Sequence, residues 1–476
     1  MFNSLWFGAV HCRRLFAMRF VKHPILLLPI ISILAGVGTL IFAHQRTGSM
    51  DGYAFSSLDG REYYQLAMNL AHHGSFSQSE SPPFDPDTWR TPGYPLFLAL
   101  HLLIGIDSSL ELVVVQQLLN LINTLLLAFM AQKYMSPRRA LLVGLLFVLE
   151  PYHHFYSLWL MPATLFVTVL LLIWHVWHRA TAPDRWQWSA LLGALTGFAV
   201  LLRPVSILLP VVVLVGLGIQ WYRGREKRQQ LLRTFGVTLA AMMLIVGAWA
   251  GRNKVVAGRF AISHQSGIVL SYFKATEVML WRLGRTADRY AETALGDEHA
   301  DQPHVVWEDI DARLRNHFAD LPAEHLNQLQ WSQLAQGNKT DIDSFEVSTA
   351  LRSIGMEMLV QEPLSTLACC FLRCFSILTF PLNLAICPPA EPYTPDRLRA
   401  AAEGAIYLAL LLGVLARLLW ERPLLEQVYF PLACTLALLL ASTPQLDPRF
   451  RVPMIPLLLF VALLPRRKHI SKENPH

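Results

Sequence analysis

The chain has 476 residues, 53% of them hydrophobic and 16% charged, with a mean hydropathy of +0.36, which is more apolar surface than one soluble core can bury. A net charge of +6 would suit a nucleic-acid partner in a soluble protein, but here the basic residues gather in short loops between apolar blocks and read as topology signals instead. None of the six cysteines lies in the long polar stretch 252–362, so a disulfide framework is not expected.

In chain order, Arg13, Arg14, Arg19 and Lys22 precede a first apolar run, Pro24 to Ala43. No small-residue cleavage site follows it, so an uncleaved first span is expected rather than a signal peptide. Further blocks such as Leu112 to Ala131 and Thr234 to Ala250 approach the roughly twenty residues that cross a hydrocarbon core. Cytoplasmic loops collect lysine and arginine. Lys133, Arg138 and Arg139, then Arg179 and Arg185, then Arg223, Arg225, Lys227 and Arg228, and finally Arg466, Arg467 and Lys468 mark that side together with the N-terminus. The segments 44–90, 150–154, 203–204, 252–362 and 442–451 then share the outer face.

Two segments complicate the count. The stretch 91–106 contains Pro92, Gly93 and Pro95 and must return to the outer face before the span from Leu112. The stretch 364–384 is apolar enough to cross, but a crossing there would reverse every later charge assignment, so it reads as re-entrant or interfacial. The expected total is about ten or eleven crossings. This divides the chain into a membrane module 1–251 carrying the outer loop 44–90, an outer loop 252–363, and a second membrane module 364–476. Within the outer loop, Val306, Ile310, Leu314 and Phe318, and again Val347, Leu351, Ile354 and Met358, fall on helical stripes. A helical cap over a membrane site is expected.

Chemistry concentrates in the outer segments. The first holds Asp59-Gly-Arg61-Glu-Tyr63, then Gly74-Ser-Phe-Ser, then Arg90-Thr-Pro-Gly-Tyr-Pro. Leu202-Arg203-Pro204 follows between two spans. Trp249-Ala-Gly-Arg252-Asn253 comes later, with His264 in the stretch after it, and Asp447-Pro-Arg449-Phe450-Arg451 precedes the last span. His72-His73 and His153-His154 lack the i, i+4 spacing of a helical metal site and read as solvated or interfacial. Cys369, Cys370 and Cys374 read as intramembrane packing. No phosphate-cradling glycine loop is present, which disfavours a nucleotide-sugar donor.

These motifs resemble the GT-C glycosyltransferases, the multi-spanning class that includes protein O-mannosyltransferases, lipid A aminoarabinose transferases and bacterial lipopolysaccharide sugar transferases. In those families the first outer loop carries an acidic residue with tyrosine four positions on, as Asp59 and Tyr63 stand here, and a basic residue ahead of a proline-containing apolar helix, as Arg90 stands before Pro92. The chain departs from the pattern in the fourth span, where many relatives have Ser-Glu and this sequence has Pro162-Ala163; Glu150 is one candidate substitute.

The resemblance implies an all-α, polytopic GT-C-like fold and an inverting transferase using a polyprenyl-phosphate sugar donor and a lipid, glycan or protein acceptor. Its place would be among the lipids of a bacterial inner membrane, with the active site facing the periplasm or exterior. A lipid-phosphate donor needs fixed cations and a carboxylate able to take a proton from the acceptor. Asp59 is the candidate base, and Arg90, Arg203 and Arg252 are candidates to hold the phosphate. Arg61, Tyr63, His264, Asp447 and Arg449 are candidate sugar- or acceptor-site residues. The alternatives are an Asx turn or helix cap for Asp59 and snorkelling anchors for the arginines. No cofactor is implied by the residues, although relatives sometimes use a divalent cation. The rival class is a transporter or flippase of lipid-linked glycans, for which related halves or charged mid-span residues would be expected.

Overall fold

The computed structural model describes residues 24–180, 186–223, 228–282, 302–330, 334, 342–379, 397–421, 425–443 and 450–465. Every regular element among them is helical. The chain is a multi-pass integral membrane protein. Five helices are long and apolar enough to cross a bilayer: Ile25–Thr47, Ser109–Ala131, Ala163–Ala180, Pro204–Arg223 and Arg228–Ala257. Shorter apolar helices include Trp186–Leu202, which packs on Ala163–Ala180 and Arg228–Ala257, Gln427–Ser442, which packs on Pro204–Arg223, and Ala405–Leu419, which packs against the last helix.

Bilayer helices gain little from burying apolar side chains against each other, so close backbone approach decides their pairing. Helix α1 (Trp186–Leu202) carries Gly193 and Gly197 four residues apart and lies against α2 (Arg228–Ala257). A Cβ on Gly193 would stand 2.1 Å from the Thr238 carbonyl oxygen, so this pairing admits no side chain there. On α3 (Ser109–Ala131), Gln116, Asn120 and Asn123 form a buried polar stripe. Gln116 donates to the carbonyls of Ser157 and Trp159, Asn120 to that of His153, and Asn123 to that of Thr164. These bonds satisfy the backbone of an irregular turn where water cannot, which is how non-helical chain survives beside a bilayer.

Helix α2 runs on to Ala257, past the expected start of the outer loop at 252, and among the described residues beyond it those between 268 and 359 form their own packed layer. Val306, Ile310, Leu314 and Phe318 on α4 (Gln302–His317 and the turn after it) join Val347, Leu351, Ile354 and Met358 on α5 (Ser344–Gln361) in one buried cluster. Both expected stripes are therefore packing faces. Tyr272 and Trp307 complete this core, and the Tyr272 hydroxyl donates to Asp311. Burial and the neighbouring Asp311 charge push the Tyr272 hydroxyl pKa far up.

The ambiguous stretch 364–384 begins as a helix, Pro363–Thr379; residues 380–384 lie outside the described part. Leu364, Leu367 and Phe371 are exposed on one side, whereas Cys369 and Arg373 are buried. Arg373 pairs with Glu277 at 3.0 Å, and Arg282 pairs with Glu362 at 2.8 Å. Two ion pairs thus tie this helix and the residue before it to Thr276–Arg282 of the outer layer. Cys369, Cys370, Cys374 and Cys434 are free thiols.

Candidate functional site

A cavity of about 770 Å³ opens where several helix ends meet the outer layer. It is lined by Asp59, Tyr63 and Arg90 from the first outer segment and by Arg203 after α1. Lys274 comes from the outer layer, and Phe450 from the turn before the last helix. The helix ends around it, Ala163, Leu202 and Ser442, are those assigned to one common side by the arginine and lysine pattern. Arg179 and Arg223 stand at the opposite ends of their helices.

Helix α6 (Leu58–His73) begins at Ser57, whose side chain caps the backbone N–H of Gly60. Ser57, not Asp59, therefore serves as the cap, and the Asp59 carboxylate is left one turn from Tyr63 on the cavity side. The next helix, α7 (Gly93–Leu102), starts hard against the end of α1. A Cβ on Gly93 would lie 2.7 Å from Leu202 Cα and 2.8 Å from the Leu201 carbonyl oxygen. Only glycine permits that contact, and it brings Arg90, three residues before Gly93, and Arg203, one residue after Leu202, into the same cavity.

Arg90 is buried between two carboxylates. Its Nη2 donates to Asp59 Oδ1 and its Nε to Glu62 Oε2, each at 2.5 Å. The guanidinium lies 5.1 Å over the Tyr63 ring, and Tyr63 meets Tyr94 edge-on at 5.3 Å. Tyr94 in turn donates to Gln116, so the cavity wall is connected to the polar stripe of α3. Asp59 keeps 27% of its side chain exposed, while Glu62 keeps 7%; of the two carboxylates, only Asp59 lines the cavity. Burial raises the Glu62 pKa, partly opposed by the Arg90 charge and hydrogen bond.

The loop before Arg90 is held from behind. Asp87 accepts the backbone N–H of Arg90 at 2.9 Å and the Gln78 amide at 2.6 Å, and burial raises the Asp87 pKa against these bonds. Arg252 donates Nη1 to the Asp87 carbonyl at 2.5 Å and Nη2 to that of Phe76 at 3.3 Å. Its guanidinium lies over Phe76 and Trp249. Arg252 therefore latches the loop and is not among the residues lining the cavity. His264 takes a similar place. Its Nδ1 is 2.9 Å from Thr88 Oγ1, and its ring meets Trp89 and Phe345. Arg61 is exposed and donates to the Phe55 carbonyl. Asp447 and Arg449 lie outside the described residues.

Sequence reasoning passed over Glu62, Lys274 and Arg352. Lys274, on the π-helical turn Val269–Ala275, donates to the Ala441 carbonyl at 2.7 Å, and burial lowers its pKa. Arg352 donates to Ser266 at the rim. A lone lysine in the run from Ile268 to Ala275 was the available signal. Two expectations are corrected. His153 and His154 are buried, not solvated. Glu150 is equally buried. It caps the turn Pro151–Tyr156, lies 3.0 Å from His153 Nδ1 and accepts from Tyr407 at 2.5 Å. Its carboxylate is not part of the cavity lining. Among the described residues, no group of three His, Cys, Asp or Glu side chains is placed to hold a metal ion.

Known proteins match this chain in two ways. The family model for dolichyl-phosphate-mannose-protein mannosyltransferases matches residues 89–249, about a third of the chain. Among solved structures, the chain is similar to ArnT from Cupriavidus metallidurans bound to undecaprenyl phosphate. That likeness has 14% identity and a TM-score of 0.39, and it covers 92% of this chain and 77% of that one. It is also similar to the archaeal oligosaccharyltransferase AglB from Archaeoglobus fulgidus, in complex with an inhibitory peptide and a dolichol-phosphate. Here the identity is 13%, the TM-score 0.40, and the coverage 94% and 50%. No curated protein sequence matches the chain. The family match runs from Trp89 to Trp249 and includes Arg90 and Arg203, so the resemblance to the GT-C class of membrane glycosyltransferases is borne out over this part of the chain.

Proposed function

We propose that the chain is a GT-C-type glycosyltransferase that moves a sugar from a polyprenyl-phosphate carrier to a lipid, glycan or protein acceptor. The proposed setting is the non-cytoplasmic face of a bacterial inner membrane. The observation that carries this reading is the single cavity in which a partly exposed carboxylate, Asp59, shares the walls with Arg90, Arg203 and Lys274. The family match supports it.

The chemistry follows from the layout. Val205, Ile207 and Leu208 give one wall an apolar lining suited to isoprenoid carbons. The cations compensate charge on the phosphate, which gathers as the sugar leaves. Asp59 accepts the proton of the acceptor hydroxyl or amine as that atom attacks the anomeric carbon. The bond from that carbon to the phosphate oxygen breaks, and polyprenyl phosphate departs with the electron pair. A single displacement of this kind inverts the anomeric centre.

The test is release of polyprenyl phosphate from a panel of labelled polyprenyl-phosphate sugars by the purified protein with acceptor lipids present. Acceptor-dependent release is expected. A protein that moves such donors across vesicle membranes while leaving all of them intact would be a transporter, and this reading would fall.

A further inference from the structure

Helix α5 reaches the cavity by packing on the turn Gln265–Ile268. A Cβ on Gly267 would stand 2.0 Å from the Ser348 carbonyl oxygen, and the Gly267 N–H donates to Ser348 Oγ at 3.1 Å. Residues i and i+4 share a helix face, so this contact turns Arg352, one turn beyond Ser348, toward the same segment. There it donates to Ser266 Oγ at 3.0 Å, and Arg352, Gln265 and Ser266 all line the cavity. Other arginines of the outer layer carry a carboxylate: Arg282 pairs with Glu362, and Arg313 with Asp309 and Glu357. Among the described residues no carboxylate pairs with Arg352, and the Gln265 side-chain amide has no hydrogen-bond partner. The other cations in the lining are accounted for, since Arg90 meets Asp59 and Glu62, and Arg203 and Lys274 serve the donor phosphate in the reading above. Cavities that hold one drug-sized ligand span about 300–1,000 Å³, and 770 Å³ leaves room for a second sugar beside that of the donor.

We propose that Arg352 and Gln265 form an acceptor subsite for an acidic sugar, with Arg352 holding its carboxylate or phosphate and the Gln265 amide bonding a ring hydroxyl. This rests on the glycosyl-transfer reading above. A guanidinium fork matches the oxygens of a carboxylate or phosphate with parallel bonds. An amide both donates and accepts, as a hydroxyl does, which is why the pair suits a sugar better than an acidic side chain. Both residues come from the outer layer and not from a membrane helix, so they meet an acceptor arriving from the aqueous side. An acceptor anchored there by its acid group keeps its remaining hydroxyls for Asp59, in the wall of the same cavity.

The experiment uses the purified full chain in detergent, first saturated with polyprenyl phosphate so that the donor cations are occupied. Glucuronate, glucose phosphate and glucose are then titrated, with binding read by saturation-transfer NMR. The two acidic sugars are expected to bind and glucose is not. Arg352→Ala should weaken both by about tenfold or more, as loss of a charge-assisted hydrogen bond does, and Arg352→Lys by less. Gln265→Ala should also weaken them, by less than Arg352→Ala. All three variants should bind polyprenyl phosphate as wild type does, which also reports that they fold. Acidic sugars that fail to bind the saturated protein, or that bind Arg352→Ala as well as wild type, would overturn the proposal. An Asp-rich peptide that binds through Arg352 while both acidic sugars fail would place a peptide there and overturn it too. Wild type that binds no polyprenyl phosphate overturns the transferase reading instead, and is seen before any sugar is added.

Discussion

Arg90 Nη2 lies 2.5 Å from Asp59 Oδ1 in the wall of a cavity that Arg203 and Lys274 also line. The motif reading made one a base and the other a phosphate ligand, and the structure makes them partners. An arginine held between two carboxylates stays aimed.

Arg90 is buried beside two carboxylates, so removing it leaves the buried Glu62 and the partly exposed Asp59 with their shared cation gone. Breaking a buried pair from one side costs about 3–5 kcal/mol. Arg90→Ala should therefore unfold at distinctly lower temperature in detergent, and Arg90→Lys should lie between it and wild type. Thermal melts followed by tryptophan fluorescence check the order. An Arg90→Ala melt equal to wild type would show that the ion pairs contribute nothing to folding.

Arg203 and Lys274 reach the cavity from separate parts of the chain, and the two should act on donor binding. Losing a charge-assisted hydrogen bond costs about 1.5–3 kcal/mol. Arg203→Ala should accordingly raise donor KM by roughly tenfold or more, and Lys274→Ala should act in the same direction. Arg203→Lys should recover only part, because an ammonium cannot grip a phosphate with two parallel bonds. Titration with polyprenyl phosphate alone measures the same contacts without turnover.

His264 ties the loop before Arg90 to the outer layer, and burial lowers its pKa to about 4, opposed by its bond to Thr88 and by Asp343. An unfolded histidine titrates near 6.5, so between those values the unfolded chain binds the extra proton and the folded one does not. Stability should therefore fall as pH drops below about 6.5 and level off near 4. Melting temperature against pH should show that slope in wild type and a shallower one in His264→Asn.

The outer layer carries an exposed Asp320, and on the topology expected from the basic residues near Arg223 it lies on the non-cytoplasmic side. Asp320→Cys, on a background without native cysteines, should react with a membrane-impermeant thiol reagent in intact cells or spheroplasts. Labelling only after lysis would reverse the topology and move the cavity to the cytoplasmic side.

What was legible in the sequence follows from which forces leave a periodic or positional trace. Val306 to Phe318 and Val347 to Met358 repeat at helical spacing because they share one packed face, so the outer layer could be read directly. Arg90 and Arg203 stood out because cations at outer span ends run against the usual charge bias, and Asp59 and Tyr63 through the four-residue spacing that carries the resemblance; the cavity lining brings the four together. Glu62 was not, since a glutamate on a polar helix looks solvated until Arg90, 28 residues on, is seen beside it. Arg252 was assigned to phosphate, yet its partner is a backbone carbonyl 165 residues away, and carbonyls leave no mark in a sequence. His153, His154 and Glu150 misled for a related reason. Their burial depends on the Asn120 and Gln117 amides of a neighbouring helix and on Tyr407.

The central claim is that Asp59 is the general base of glycosyl transfer, and Asp59→Asn tests it most directly. Asparagine keeps the size and an acceptor for Arg90 but lacks basicity. Turnover of a polyprenyl-phosphate sugar onto a hydroxyl acceptor should fall by about a hundredfold or more, with polyprenyl-phosphate affinity changed far less. Asp51→Asn, an exposed position outside the cavity lining, should stay near wild type. Near-wild-type turnover in Asp59→Asn, with loss in Asp51→Asn or Asp447→Asn, would contradict the assignment.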